Sequence, residues 1–410
     1  MRGLAAYDGA PVEQMRGATR LALRNLVDLA LGEGVAFVLI AGDLYDGDWQ
    51  DFQTGLFFAA QMTRLREAGV RVFLVRGNHD AASRITRSLT LPENVHVFAA
   101  EKCDTVVLDD PAVAVHGRSF ASPAVREDLS EGFPRPIEGL VNIGLLHTSA
   151  NRPDGHEPYA PCSPDGLVAR GYDYWALGHV HNRRVLCRPP ERRSWVVFPG
   201  NTQGRNIREC GPKGCSLVTV HEPGRIEVAH RDLDVARWAH LQVDASGAAD
   251  GSELIARARA EIEAAAEAAE GRPLAARVVF AGACAAHEEI ARAEARWVNE
   301  LRAAATDVTG GQAWLEKVRF GTAPTIDLDA LRERDSAVGD LLRYLGEVAG
   351  DEDELGGLAK ELTDLKAKLP AELTDGPDGL DLDSPAAIRA AIEDVERLLL
   401  PRLLAGGADE

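Results

Sequence analysis

The first 235 residues alternate between two hydrophobic periods. Leu23, Leu26, Val27 and Ala30 recur at helical spacing, with Pro11 near the start and Gly34 at the end, which predicts a helix over Pro11–Gly34. Val35–Ala41 is instead a short continuous apolar run, the pattern of a strand covered on both faces. A second helix is expected over Phe52–Ala68 and a second buried strand over Val70–Val75. Further strands are expected at Val95–Phe98, Thr105–Leu108, Val113–Val115, Val141–Leu146, Tyr174–Leu177, Trp195–Phe198 and Ser216–Val220. This rhythm predicts an α/β fold, a sheet held between layers.

The pattern changes near Asp234. From His240 it reads strand (Leu241–Val243), helix (Ser252–Glu270), strand (Leu274–Phe280), helix (His287–Ala305), strand (Ala313–Phe320). That is a small α/β domain over 236–323. After Pro324 the chain is helical, with leucine-rich stretches around 328–345, 355–369 and 388–404 and a Gly/Asp/Pro-rich loop over 375–383. No repeat of fixed period is present. Three parts follow: 1–235, 236–323 and an amphipathic helical region over 324–410, which needs a surface to pack on.

Hydrophobic residues at 45% and charged residues at 27% exclude wholesale disorder. The net charge of −19 argues against gripping nucleic acid by bulk positive charge. That charge is concentrated: from Thr325 onward there are 22 acidic against 9 basic residues. The rest is mildly acidic and carries local basic clusters, Arg183, Arg184, Arg188, Arg192 and Arg193, then Arg205, Arg208 and Lys213, which serve either as solvated surface or as phosphate contacts. Six cysteines at irregular spacing, with one close pair at Cys210 and Cys215, make no disulfide framework. With no membrane-length apolar run and no signal-peptide core in Met1–Ala5, the chain reads as cytoplasmic.

The candidate chemistry lies where apolar runs stop. Four stretches share that position: Gly42-Asp43-Leu44-Tyr45-Asp46, Gly77-Asn78-His79-Asp80, Leu146-His147-Thr148 and Gly178-His179-Val180-His181. Carboxyl ends of strands are where ligands bind in open α/β sheets. Asp, Asn and His can all ligate a metal, and a glycine before three of the four lets the backbone turn tightly. Taken singly, each has an ordinary reading: Gly-Asp as a turn, His147 as a satisfied buried or surface histidine. Gly-His-Val-His on an extended segment would place both imidazoles on one face. Together the four point to a shared metal pocket.

This series resembles the calcineurin-like metallophosphoesterase signature, and within that superfamily it is similar to the SbcD-type DNA double-strand-break repair nucleases. Phe198-Pro199-Gly200-Asn201 and the small α/β domain extend the likeness to about residue 320. The resemblance implies a metallophosphoesterase-type layered β-sheet sandwich flanked by helices, and a two-metal phosphodiesterase. Asp43 would bridge two divalent ions. Asn78, His147 and His179 would hold one ion with it, and His181 would contribute to the other. His79 would stabilise charge or protonate the leaving oxygen, with Asp80 orienting it. Mixed O and N donors suit Mn²⁺, with Fe or Zn as alternatives.

The family also begins with a strand ending in Asp-x-His. This chain starts beyond that block, and Asp8 does not replace it, being at no strand end. The expectation is therefore a nuclease domain without its first strand. The implied partners are DNA, a coiled-coil ATPase met through the C-terminal helices, and a second copy of the chain as a homodimer, with no membrane. Two other functions compete: a phosphoesterase acting on phosphoproteins, nucleotides or small diesters, and a non-catalytic scaffold.

Overall fold

Strand β1 (Phe37–Ile40) is apolar at every position because both of its faces are covered. Phe37 and Leu39 join one core cluster, while Val38 and Ile40 join another beneath helices α1 (Val12–Gly32) and α2 (Phe52–Glu67). The computed structural model describes residues 12–44, 52–82, 90–150, 159–190, 192–221, 224–325, 328–366, 368–369 and 384–406. Pro11, Asp8, Tyr45, Asp46 and the 375–383 loop fall outside them.

β1 pairs in parallel with β2 (Arg71–Leu74), which pairs in parallel with β3 (Val95–Val97). The short helix α3 (Asn78–Ala82) follows β2. A second sheet has the order β4-β5-β6-β7-β9-β8. Its strands are β4 (Asp104–Leu108), β5 (Val113–Arg118), β6 (Val141–His147), β7 (Tyr174–Gly178), β8 (Arg184–Cys187) and β9 (Trp195–Phe198), with α4 (Pro164–Ala169) between β6 and β7. β5, β6, β7 and β9 run parallel, and the edge strands β4 and β8 run antiparallel to their neighbours. The sheets stack: Phe73, Val75 and Phe98 share a buried cluster with Val115, Ile143, Leu145 and Val197. The far face of the second sheet is covered by α4, through Leu167, and by connecting segments that include Phe133, packed on Trp175 and Leu177. The layering is helices, sheet, sheet, then α4 with connecting segments, the layered α/β sandwich that the resemblance implies. A hairpin, β10 (Gly214–His221) with β11 (Arg225–Asp232), completes the first unit.

The chain divides into two units, one comprising residues up to Arg205 with 211–237 and the other 206–210 with 238–410. The second holds a sheet ordered β12-β13-β14: β12 (Arg237–Asp244), β13 (Leu274–Ala283) and β14 (Ala313–Ala323), the last two parallel. Helices α5 (Gly251–Ala268), α6 (His287–Arg292) and α7 (Glu294–Thr309) cover one face around Leu254, Ile262, Trp297 and Leu301. The single helix expected over His287–Ala305 is broken at Ala293, whose ψ of 40° is not helical. His287 Nδ1, 2.9 Å from Thr322 Oγ1, ties the first piece to β14, and no proline or glycine announces the break.

The region after 324 is part of this second unit. Its helices α8 (Leu328–Arg332), α9 (Ala337–Gly350), α10 (Glu352–Glu361), α11 (Thr363–Lys366) and α12 (Pro385–Gly406) pack on one another, with Leu331, Leu342 and Leu400 buried together. No helix among the described residues is long and apolar enough to cross a membrane, and all six cysteines are free.

His116 of β5 shows how the second sheet accommodates a buried polar group. It is 0% exposed, with Nδ1 2.8 Å from Thr105 Oγ1, Nε2 3.1 Å from Asn142 Oδ1 and its ring stacked on Tyr172. Burial pushes its pKa below the usual histidine value, against a smaller upward pull from Asn142. The unfolded chain therefore takes up the proton more readily. This contribution to stability is complete above about pH 6.5 and is lost as pH falls below it. The urea midpoint should drop on acidification through that range, and His116→Gln should flatten the drop while costing about 1–3 kcal/mol at neutral pH. A wild-type midpoint independent of pH would contradict this.

Candidate metal centre

The carboxyl ends of β1 and β2 in one sheet and of β6 and β7 in the other meet at the edge of the sandwich. Asp43 follows β1, Asn78 opens α3 after β2, His147 ends β6 and His179 follows β7. Their side chains converge. His147 Nε2 lies 2.9 Å from Asn78 Oδ1 and 3.3 Å from Asp43 Oδ2. One ligand atom each from Asp43, His147 and His179 all lie within 4.8 Å of one another.

The orientation of His147 is set from behind. Its Nδ1 is 2.8 Å from the carbonyl oxygen of Ala41, which can only accept, so the Nδ1 proton is committed there. Nε2 is thereby turned toward the oxygens of Asp43 and Asn78. An imidazole nitrogen facing two such oxygens shares either a proton or a metal cation with them, and oxygen and imidazole donors fit a divalent metal ion. Phe120 and His179 stand edge-on to the His147 ring at 5.2 Å each, and Tyr159 stands edge-on to His179 at 5.7 Å. No pattern in the sequence marks these two aromatics as neighbours of the site.

Burial raises the pKa of Asp43, but the hydrogen bond and charge of His147, with the charge and amide of His79, outweigh it and hold the carboxyl at about 2. Asp43 is an anion at any physiological pH, the state a metal ligand needs. It adopts φ 52°, and His179 adopts φ 100°, the left-handed region that L-residues seldom enter.

The glycines act mainly by absence. Gly42 has φ 91° and does turn the chain. Gly77 and Gly178 are not left-handed; they lack room. A Cβ on Gly77 would lie 2.4 Å from Asp43 Oδ1, and one on Gly178 would lie 1.8 Å from the Ala41 oxygen and 2.9 Å from His147 Nδ1. Close approach, rather than tight turning, is what glycine provides at these two positions.

The remaining candidates sit differently from expectation. The segment after Gly178 is not a strand, so His179 and His181 do not alternate on a sheet face. His181 stands outside the three-residue group, and its Nδ1 is 3.3 Å from Arg205 Nη2. Asn182, next in the chain, accepts from the buried Lys213 Nζ at 2.8 Å. His79 is exposed on α3, with its amide donating to Asp43 Oδ1 at 3.1 Å. Asp80 is buried, and its Oδ2 accepts from the amides of Gly77 at 3.1 Å and Leu44 at 3.2 Å. Among the other basic candidates, Arg183, Arg188, Arg193 and Arg208 are exposed, Arg184 is half-buried, and Arg192 pairs with Asp165 at 3.0 Å.

With this geometry in place, the family profile of calcineurin-like phosphoesterases matches residues 18–183. Residues 18–183 thus form a domain similar to the calcineurin-like phosphoesterases. Behind that domain, residues 238–323 match the middle domain of metallophosphoesterase YhaO. The uncharacterized metallophosphoesterase YhaO of Bacillus subtilis is 34% identical over 244 residues, 59% of each chain. DNA double-strand break repair protein Mre11 of Sulfurisphaera tokodaii is 27% identical over 171 residues, 40% of this chain and 42% of that one. Mre11 of Haloferax volcanii is 26% identical over 235 residues, 55% of this chain and 49% of that one. The chain thus spans about half the length of the curated relatives it matches.

The packing of the phosphoesterase domain around its glycines is directly testable. Gly178→Ala should push the Ala41 carbonyl away, release His147 and abolish tight Mn²⁺ binding in a calorimetric titration. Gly32→Ala, whose added Cβ meets nothing within 4 Å, should bind as wild type does. Equal affinity in both variants would show that the close approach is irrelevant to the site.

Proposed function

We propose that the protein is a metal-dependent phosphodiesterase acting on DNA, a nuclease of the double-strand-break repair type. The observation carrying this is the convergence of Asp43, Asn78, His147 and His179 at the strand ends of a phosphoesterase domain whose relatives include Mre11 proteins. We read the site as holding divalent metal, two ions with Mn²⁺ favoured, and His181 contributing to the second. Metal bound there supplies charge against the phosphodiester and an acidified water.

The chain's own residues do the rest. Asp43 stays ionised beneath the reacting phosphate, and His147 presents Nε2 because Ala41 holds Nδ1. His79, exposed at the first turn of α3, is the residue we assign to meet a scissile phosphate and to hand a proton to the leaving oxygen. Arg183, Arg184, Arg205 and Arg208 are the basic groups we assign to phosphate contacts, Arg205 through its place beside His181.

Incubation with linear duplex DNA and Mn²⁺ should release nucleotides. His79→Ala should cut that rate by roughly 10²–10⁴-fold while leaving Mn²⁺ affinity in place. DNA untouched by the wild-type protein, with small phosphodiesters hydrolysed instead, would favour the broader phosphoesterase reading that the 34% identity to YhaO also accommodates. Parental cleavage by His79→Ala would remove its role.

The partner reading concerns α12. Val395, Leu399 and Leu403 recur every fourth residue and are 41%, 38% and 40% exposed, while Leu400 is buried against the neighbouring helices. Such a stripe suits laying a helix into an apolar groove, here of a coiled-coil ATPase, and the surrounding acidic charge steers it to a basic partner. Val395→Asp with Leu399→Asp should abolish co-purification with that ATPase and leave the melting temperature unchanged. Undiminished co-purification would overturn the assignment.

A further inference from the structure

The loops after β1 and β2 exchange carboxylate-to-amide hydrogen bonds. Asp43 Oδ1, in the first loop, accepts from the amide of His79 in the second at 3.1 Å. In return Asp80 Oδ2, in the second, accepts from the amide of Leu44 in the first at 3.2 Å. The same Asp80 oxygen also accepts from Gly77 within its own loop at 3.1 Å. Asp80 is 2% exposed, its bond to Gly77 is buried and its bond to Leu44 is partly buried, so water competes little for that oxygen.

Both amides held by Asp80 are next to a candidate ligand. Leu44 N–H belongs to the peptide that leaves Asp43, a residue kept at φ 52°. Left-handed backbone in a residue other than glycine is strained and persists only where neighbours over-determine it. Fixing the Leu44 amide fixes the far side of that strained residue. Gly77 N–H belongs to the residue before Asn78, whose Oδ1 meets His147 Nε2 at 2.9 Å. One carboxylate oxygen therefore sets the backbone on which both Asp43 and Asn78 depend.

We propose that Asp80 is a positioning residue for the metal centre, holding Asp43 and Asn78 in their ligating arrangement through the Leu44 and Gly77 amides, and that this role does not run through His79. It rests on the metal-site reading above and gives Asp80 a different part from that of an orienting partner for the catalytic imidazole. Because the clamp needs an oxygen acceptor with two lone pairs and not a charge on His79, an amide oxygen can replace the carboxylate.

The test uses the full chain, with Mn²⁺ binding followed by calorimetry and the exchange of the Leu44 and Gly77 amides followed without metal. Asp80→Ala should weaken Mn²⁺ binding by about 10–100-fold, the usual worth of an outer hydrogen-bonding partner, and both amides should lose protection together. Asp80→Asn should restore affinity and protection close to wild type. In a His79→Ala background, Asp80→Ala should cause the same loss of affinity, the two changes adding. Wild-type affinity and protection in Asp80→Ala would overturn the proposal, as would an Asp80→Asn as damaged as the alanine variant, or an effect that vanishes in the His79→Ala background. Should Asp80→Ala fail to fold, amide exchange in wild type against Asp80→Asn decides it: unprotected Leu44 and Gly77 in the wild type overturn the clamp. A wild type that binds no Mn²⁺ overturns the metal-site reading instead, and the amide exchange still judges the clamp.

Discussion

One hydrogen bond joins the two halves of the sandwich at the place that matters: His147 Nδ1 to the carbonyl oxygen of Ala41, at 2.8 Å. Ala41 follows a strand of the first sheet and His147 ends a strand of the second. The bond fixes the plane of the imidazole, so Nε2 faces the oxygens of Asp43 and Asn78. It forms only because Gly178 leaves room for the Ala41 carbonyl and Gly42 for the imidazole. Behind it, the inter-sheet core of Phe73, Phe98, Val115, Ile143 and Leu145 holds the sheets in register. Hydrophobic packing therefore brings the two carboxyl ends together, and the hydrogen bond turns that proximity into a directed donor set.

The same edge stores strain. Asp43 and His179 both occupy left-handed backbone, at φ 52° and φ 100°. Neither residue would choose it in a free loop, and each costs on the order of 1–3 kcal/mol. The reciprocal bonds of Asp43 with the His79 amide and of Asp80 with the Leu44 and Gly77 amides are the local compensation. Ligands that pre-exist in converged geometry need little reorganisation when a cation arrives, and a depressed Asp43 pKa means that this carboxylate is already ionised.

The second unit follows a simpler logic. A three-stranded sheet buries one face under α5, α6 and α7, and the terminal helices bury a small set of leucines among themselves. Burying Leu331, Leu342 and Leu400 uses only part of the apolar surface, so α12 keeps Val395, Leu399 and Leu403 outside. An amphipathic helix with apolar residues on more than one side can be held by its own chain and still offer a second side to a partner.

The hydrophobic pattern by itself determined most of the fold. A continuous apolar run such as Val35–Ala41 can only be satisfied between two layers, and the glycine-bounded Asp, Asn and His clusters had to lie where such runs end. Of the strands it did not disclose, Arg225–Asp232 interleaves charged residues with apolar ones, and Arg184–Cys187 offers a run of only three apolar residues set between arginines. The kink at Ala293 also lacked a signal, because an alanine-rich helical period continues through it. Only the tertiary structure decided how the site is built. Whether Gly77 and Gly178 turn the chain or admit a neighbour depends on atoms contributed by residues thirty or more positions away. That His179 joins Asp43 while His181 lies against Arg205 depends on the φ of 100° at His179, which breaks the alternation an extended segment would have imposed. Spacing along a chain specifies periodic structure, and a converged site is made by contacts that period does not encode.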